Sequence, residues 1–264
     1  MRRMSPAQLW SGFWVQVARG DSTISMHLAL EMRRITGQEV LLLDLDVTGG
    51  TVGFLMKVSQ PYTLLDASLN LHRLDAALWQ SLIWKHSSGL DVLQPPGSAR
   101  FGEQLRDERV PHLLRLAQGR YSWIVIDMGR SNELSINMMG ETSQLLLVST
   151  SDVTSLSEAK RILRKLSEVA YYPGHIRLIL NRASKTELDV PELEKTFGMP
   201  ISAFLPEASR ERHETYAGGK LLPDSSLLCR QINRIAGELT GLGVEPAKPG
   251  GLFAIALQGL RLRV

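Results

Sequence analysis

The sequence predicts an α/β protein, a doubly wound and mostly parallel sheet with helices on both faces. Short, continuous apolar runs recur along the chain, as in Val40-Leu-Leu-Leu-Asp44, Trp123-Ile-Val-Ile-Asp127 and Gln144-Leu-Leu-Leu-Val-Ser149. Uninterrupted runs of this length mark strands covered on both faces. Segments with apolar residues three and four apart lie between them, and the strand–helix alternation persists to about residue 242. The 264 residues are 44% hydrophobic and 22% charged, enough to bury a substantial core.

The elements follow in order. Trp10 to Val17 reads as the first strand, and Ser22 or Thr23 can cap a helix from Ile24 to Thr36, closed by Gly37. Val40–Asp44 completes a strand–helix–strand unit. Leu64, Leu65, Leu69, Leu74, Ala77, Leu78 and Leu82 indicate one or two helices with Asp66 and Asn70 outward. A short strand at Gly89–Leu93 runs into Pro95-Pro96-Gly97, and Val110 to Ala117 is helical. Beyond the strands at 123–127 and 144–149, Ser155 or Ser157 is expected to cap a helix with an apolar face of Ala159, Ile162, Leu163, Leu166 and Val169. A strand at Ile176–Leu180 ends at Asn181, followed by a helix at Val190–Phe197, a strand at Ile201–Leu205 and a helix at Leu227–Leu242. The domain is expected to span residues 1–242, with a Pro/Gly linker at 243–251 and an apolar-basic tail at 252–264.

Composition excludes several classes. A net charge of +3 and a pI near 9.1 are too mild to argue for nucleic acid. One cysteine, Cys229, rules out an intramolecular disulfide framework and reads as a buried helical residue. No run approaches the roughly 20 apolar residues of a membrane-spanning helix, and the N-terminus lacks a convincing signal peptide; a cytoplasmic location is expected. The six histidines show no paired metal spacing. Lys160, Arg161, Arg164 and Lys165 form a basic stripe that reads as a solvated helix face.

Chemistry is expected at the carboxyl ends of the strands. The stretch Gln16-Val-Ala-Arg-Gly-Asp-Ser-Thr23 sits between the first strand and first helix, where a phosphate-binding loop would lie. It keeps one glycine, Gly20, and the hydroxyls Ser22 and Thr23, but has Asp21 at the lysine position. Asp44, Asp46 and Asp127 fall at or just beyond the ends of two strands, and carboxylates beside a serine hydroxyl are the set a Mg²⁺–nucleotide site uses.

The chain resembles the MinD/ParA-type P-loop ATPases, and most of all the CpaE/TadZ branch that serves Flp (Tad) pilus assembly. The resemblance rests on Val40-Leu-Leu-Leu-Asp-Leu-Asp46, Tyr62-Thr-Leu-Leu-Asp-Ala67 with Leu74-Asp-Ala-Ala-Leu78, and His86-Ser-Ser-Gly-Leu-Asp-Val-Leu93. It continues through Tyr121 to Arg130, Leu147-Val-Ser-Thr-Ser-Asp152, Ile179-Leu-Asn-Arg182 and Gly219-Lys-Leu221. It implies a homodimer, nucleotide-bridged or nucleotide-independent, that places a pilus or secretion machine with protein partners; for the tail, contact with the inner face of a membrane and packing on the domain or on a partner both stay open. By position it implies that Ser22, Asp44 and Asp127 hold Mg²⁺ and that Asp46 orients the attacking water. Gly20, Ser22, Thr23 and Asn181 would bind ATP, with Asn181 reading the adenine. A DNA-partitioning role is the weaker implication.

The departures lie in the loop. The family has Lys-Gly-Gly-Val-Gly-(Lys or Thr)-Thr-Thr where this chain has residues 16–23, so Gln16 and Asp21 replace lysines and Val17 and Ala18 replace glycines. Two unit charges about 4 Å apart interact by roughly 1 kcal/mol in water and about 4 kcal/mol at an effective dielectric of about 20. Reversing the sign at Asp21 therefore removes on the order of 2–8 kcal/mol of phosphate affinity. The expectation is a degenerate ATPase with little or no hydrolysis; the alternative is an active, atypical ATPase that dimerises with Mg-ATP. The branch's usual preceding receiver-like domain is expected to be absent.

The tail, Gly251 to Val264, has no acidic residue, and its apolar positions fit a helix or a strand equally. Deleting residues 251–264 is expected to leave the fold intact and to weaken membrane or partner association. Unchanged liposome flotation together with unchanged partner capture would contradict this.

Overall fold

The computed structural model describes residues 13–18, 22–46, 50–95, 109–129, 138, 142–168, 173–183 and 189–242. Its centre is an eight-stranded sheet in the order β3-β4-β2-β5-β1-β6-β7-β8. The strands are β1 (Phe13–Ala18), β2 (Val40–Asp44), β3 (Trp84–Lys85), β4 (Asp91–Leu93), β5 (Trp123–Asp127), β6 (Gln144–Ser149), β7 (Ile176–Ala183) and β8 (Ile201–Pro206). Every pairing is parallel except β3 with β4. β1 lies between β5 and β6, so the connections on its two sides run in opposite directions across the sheet, the arrangement that opens a crevice at the strand ends.

Strand parity divides the core. Val40, Leu42, Val125, Leu146, Val148 and Ile179 face one layer, with α1 (Ser22–Thr36) and the last helix, Leu227–Thr240. Leu41, Leu43, Ile124 and Ile126 face the other, under α3 (Leu64–Leu69), α4 (Ala76–Leu82) and α5 (Arg109–Gln118). Leu145, Leu147 and Leu178 continue that second face under α6 (Val153–Glu168) and α7 (Val190–Phe197). A four-residue α2 (Val52–Leu55), α8 (Ser209–Ala217) and the last helix, α9 (Leu227–Thr240), complete the described helices. The helix α1 is buried along most of its length because it is sandwiched between the sheet and α9. Glu31 ties the two helices, accepting from Asn233 Nδ2 at 2.7 Å and from Arg34 Nη2 at 2.7 Å.

Several elements differ from expectation. β1 runs to Ala18, not Val17, and residues 10–12 lie outside the described set. β7 carries Asn181 inside the strand, not past its end. The 64–82 region forms two α-helices separated by a 3-10 turn, Leu71–Arg73, and Asp66 is a capping residue whose Oδ2 accepts from Thr63 N at 2.8 Å. The start of α6 is set by Asp152, whose Oδ1 accepts from Ser155 N at 2.9 Å; the predicted serine caps fall within the helix. The last helix ends at Thr240, where Gly241 at φ +69 terminates it.

One buried polar chain fixes the β4 edge. Trp79 Nε1 donates to Tyr121 Oη at 2.9 Å, Tyr121 donates to Asp91 Oδ2 at 2.8 Å, and Lys85 Nζ donates to Asp91 Oδ1 at 2.6 Å. Tyr121→Phe would orphan Trp79 Nε1 and one oxygen of buried Asp91. We expect a loss of about 1–3 kcal/mol of unfolding free energy, read as a lower urea midpoint with an unchanged slope.

Candidate functional site

The site is built by strand ends that share one parity. Asp44 follows Val40 and Leu42, Asp127 follows Val125, and Asn181 follows Ile179, so all three continue rows that face α1. β2 and β5 are neighbours in register, with Asp44 opposite Asp127. The chain brings both carboxyls together with no solvent access, each 0% exposed. Asp46, two residues past Asp44, completes the cluster from its loop: Asp44 Oδ1 accepts from Asp46 N at 2.9 Å, and Gly129 gives the Asp46 carboxylate its space. Gly129 holds φ +54, and a Cβ there would collide with that carboxylate, so the position requires glycine on two counts. Gly50 is constrained similarly, since a Cβ would stand 2.6 Å from Asp44 Oδ2.

Electrostatics mark the pair as strained. Burial, and then the Asp127 carboxyl beside it, push Asp44 up to about 8. Burial also raises Asp127, opposed by the Ser22 hydroxyl, the Gly129 N–H (3.0 Å to Oδ1) and the Ser25 hydroxyl. Ser22 and Ser25 lie near enough to favour the ionised form of Asp127. Even so, among the described residues Asp127 Oδ2, Asp44 Oδ2 and Ser25 Oγ have no hydrogen-bond partner of ordinary geometry. Three buried oxygen atoms at one spot are left unsatisfied, which folding tolerates only at a cost.

These oxygens fit a hard divalent cation, which takes carboxylate and hydroxyl ligands. No three of His, Cys, Asp or Glu among the described residues form a closed metal cage. A cation here would therefore rely on Ser22, the orphaned carboxyl oxygens and non-protein ligands. The adjoining sequence, with Gln16 and Asp21 where the family it resembles has lysines, offers an anion less positive charge. β1 stays paired with β5 through Val17 and with β6 through Ala18, and α1 starts at Ser22. Val17 and Ala18 keep the backbone extended where glycines would let it turn, and a β-branched residue reinforces the strand. Gly20 and Asp21, together with Arg19, lie outside the described residues.

Of the other predicted residues, Thr23 is buried in the first turn of α1. Asn181 is buried too, and its Oδ1 accepts from its neighbour Arg182 N at 2.9 Å. It stands three strands from Asp127, roughly 14 Å across the sheet at the usual spacing, and is not part of the carboxyl cluster. The sequence reading missed Ser25, although Ser22 and Ser25 are spaced to share a helix face. It also missed the group behind them: His27 Nε2 lies 3.3 Å from Tyr216 Oη, and Cys229 Sγ lies 3.6 Å from His27 Nδ1. Burial lowers His27 to about 4 and raises the Cys229 thiol to about 12, so this cluster is neutral packing between α1, α8 and α9. Cys229 is the buried helical residue expected from its sequence.

No family model matches the chain. Over 213 residues it is 24% identical to the septum site-determining protein MinD of Oltmannsiellopsis viridis; the match takes in 77% of this chain and 65% of that protein, so the chain spans about two thirds of its relative's length. Among solved structures, a ParA family ATPase from Chlorobium tepidum superposes with a TM-score of 0.77 at 25% identity, over 86% of this chain and 98% of that one. MinD from Pyrococcus horikoshii, in complex with Mg-ADP, gives a TM-score of 0.72 at 17% identity, over 89% and 99%. The fold is that of the MinD/ParA-type P-loop ATPases, and the chain has homology to MinD.

The raised Asp44 carboxyl sets the sign of a pH effect. A carboxyl whose folded pKa exceeds its unfolded value contributes stability at low pH, and this is lost as pH rises from about 4 through about 8. Asp44→Asn removes the ionisation while keeping an acceptor for Asp46 N. It is expected to raise stability by about 2–4 kcal/mol near pH 8 and much less near pH 4. Thermal melts at both pH values check this; a destabilised variant at pH 8 would contradict it.

Proposed function

We propose that this chain is a MinD/ParA-like scaffold or localisation protein with impaired or absent ATP hydrolysis. One observation carries the reading: the carboxyl cluster and the fold are kept around a loop from which both lysines and two glycines are gone. The relatives named above are septum-site-determining and ParA-type proteins, which supports a role in placing other machinery within the cell. The machine we assign is a pilus or secretion apparatus, on the strength of the CpaE/TadZ-like motifs in residues 40–93. The chain would act as a homodimer with protein partners, cytoplasmic and peripheral to the inner face of the membrane through residues 252–264. Among the described residues no helix is long and apolar enough to cross a membrane.

A second reading is favoured by the orphaned oxygens of Asp44 and Asp127 beside Ser22. It is an atypical ATPase in which Ser22, Asp44 and Asp127 hold Mg²⁺, Asp46 orients water, and Gly20, Thr23 and Asn181 contact ATP, with dimerisation on nucleotide binding.

Titrating Mg-ATP into the purified chain, with calorimetry and oligomer size as readouts, separates the two. The scaffold predicts no saturable binding in the micromolar range and an oligomer size indifferent to nucleotide. Asp21→Lys should gain affinity by about tenfold or more, since restoring one attractive charge is worth at least about 1.4 kcal/mol. Steady hydrolysis that disappears in Asp46→Ala or Asp127→Ala would replace the first reading with the second.

A further inference from the structure

Two non-glycine residues among those described hold a left-handed backbone, Arg182 at φ 55, beside Asn181, and Lys57 at φ 55. At Lys57 it closes α2: Lys57 N donates to Phe54 O at 3.2 Å and Val58 N donates to Gly53 O at 2.9 Å, the pair of bonds that ends a helix on a left-handed residue and fixes where the lysine leaves the chain. Lys57 follows α2 and borders a cavity of about 380 Å³ whose lining includes Gly53, Phe54, Leu55, Val58, Tyr216 and Gly219. The walls are mostly apolar. Phe54 stands 80% exposed at the rim, an unusual position for a large aromatic side chain.

The ammonium is placed by its neighbours. Lys57 Nζ lies against the backbone of Gly219, which is itself at φ +63, and a Cβ at that position would collide with it. Among the described residues the Lys57 ammonium has no ion pair or hydrogen bond, and the same holds for the adjacent Lys220. Among the described residues the pocket therefore combines an ammonium without a partner with aromatic and aliphatic walls. Its volume falls at the small end of ligand cavities, room for one ring or a short chain.

We propose that this pocket binds a small amphiphilic carboxylate, with its apolar body between Phe54, Val58 and Tyr216 and its carboxylate on Lys57. The site is separate from the carboxyl cluster and independent of nucleotide. One wall, Tyr216, reaches α1 through the contact with His27.

The test uses 4-phenylbutyrate and its uncharged counterpart 4-phenylbutanol, titrated to millimolar concentration into the ¹⁵N-labelled full chain. The acid should shift the amide signals of Gly53 and Gly219 saturably, and the alcohol should bind at least about tenfold more weakly, since a charge-assisted hydrogen bond is lost. Lys57→Asn is expected to fold, because asparagine tolerates the left-handed region, and to weaken the acid about tenfold while leaving the alcohol unchanged. Phe54→Ala should weaken both. No shift at Gly53 and Gly219, equal binding of acid and alcohol, or undiminished acid binding by Lys57→Asn would each overturn the proposal. The comparison of acid with alcohol on the unaltered chain decides the matter if the variant does not fold.

Discussion

Asp44 and Asp127 stand side by side because β2 and β5 pair in register, and neither carboxyl reaches water. Much of the local architecture is arranged around that pair. Gly50 and Gly129 leave out side chains so that the Asp44 and Asp46 carboxylates can fit, and the first turn of α1 presents Ser22 and Ser25 toward Asp127. A purely structural interior would replace such a pair with apolar residues, since burying like charges side by side is unfavourable. The arrangement is held by a large apolar framework, in which α1 is clamped between the sheet and α9. A rigid scaffold supporting a locally unfavourable cluster is how proteins hold functional groups poised.

The neighbouring loop has taken the opposite course. Where glycines would let backbone N–H groups converge on an anion, Val17 and Ala18 prolong the strand and keep the ladder pairing. On the proposed reading, the carboxyl oxygens that would hold a cation stand at the strand ends, while the sequence at residues 16–21 carries Gln16 and Asp21 in place of the lysines of the family it resembles. This asymmetry is the physical basis of the proposed placing role.

The central strands were legible in the sequence because they are covered on both faces, which leaves an unbroken apolar run at 40–44, 123–127 and 144–149. Asp44 and Asp127 were legible for a related reason: a polar residue at the end of such a run stands out, and Ser22 was picked out by its place between the first strand and first helix. α8 was not, because Ser209-Arg-Glu-Arg-His-Glu-Thr-Tyr-Ala217 is polar on nearly all sides and buries no residue fully. β3 was missed since two residues carry no periodicity. The capping role of Asp152 and the extension of β1 to Ala18 depend on backbone partners, which spacing along the chain does not encode. Lys57 gave no sequence signal, because a lysine holds the left-handed position that closes α2, where a glycine or asparagine would have marked the end of the helix.

The two rims of the sheet carry a consequence for how copies of the chain can meet. At one rim β3 is two residues long, antiparallel, and bears Lys85; at the other β8 pairs irregularly with β7 and ends in Pro206. Short, charged or proline-bearing rims are poor templates for adding a strand from another molecule. Polymerisation into a continuous intermolecular sheet is thereby discouraged at both ends. At the described rims, contact between copies is left to side-chain surfaces, which can be broken and reformed without unravelling the sheet.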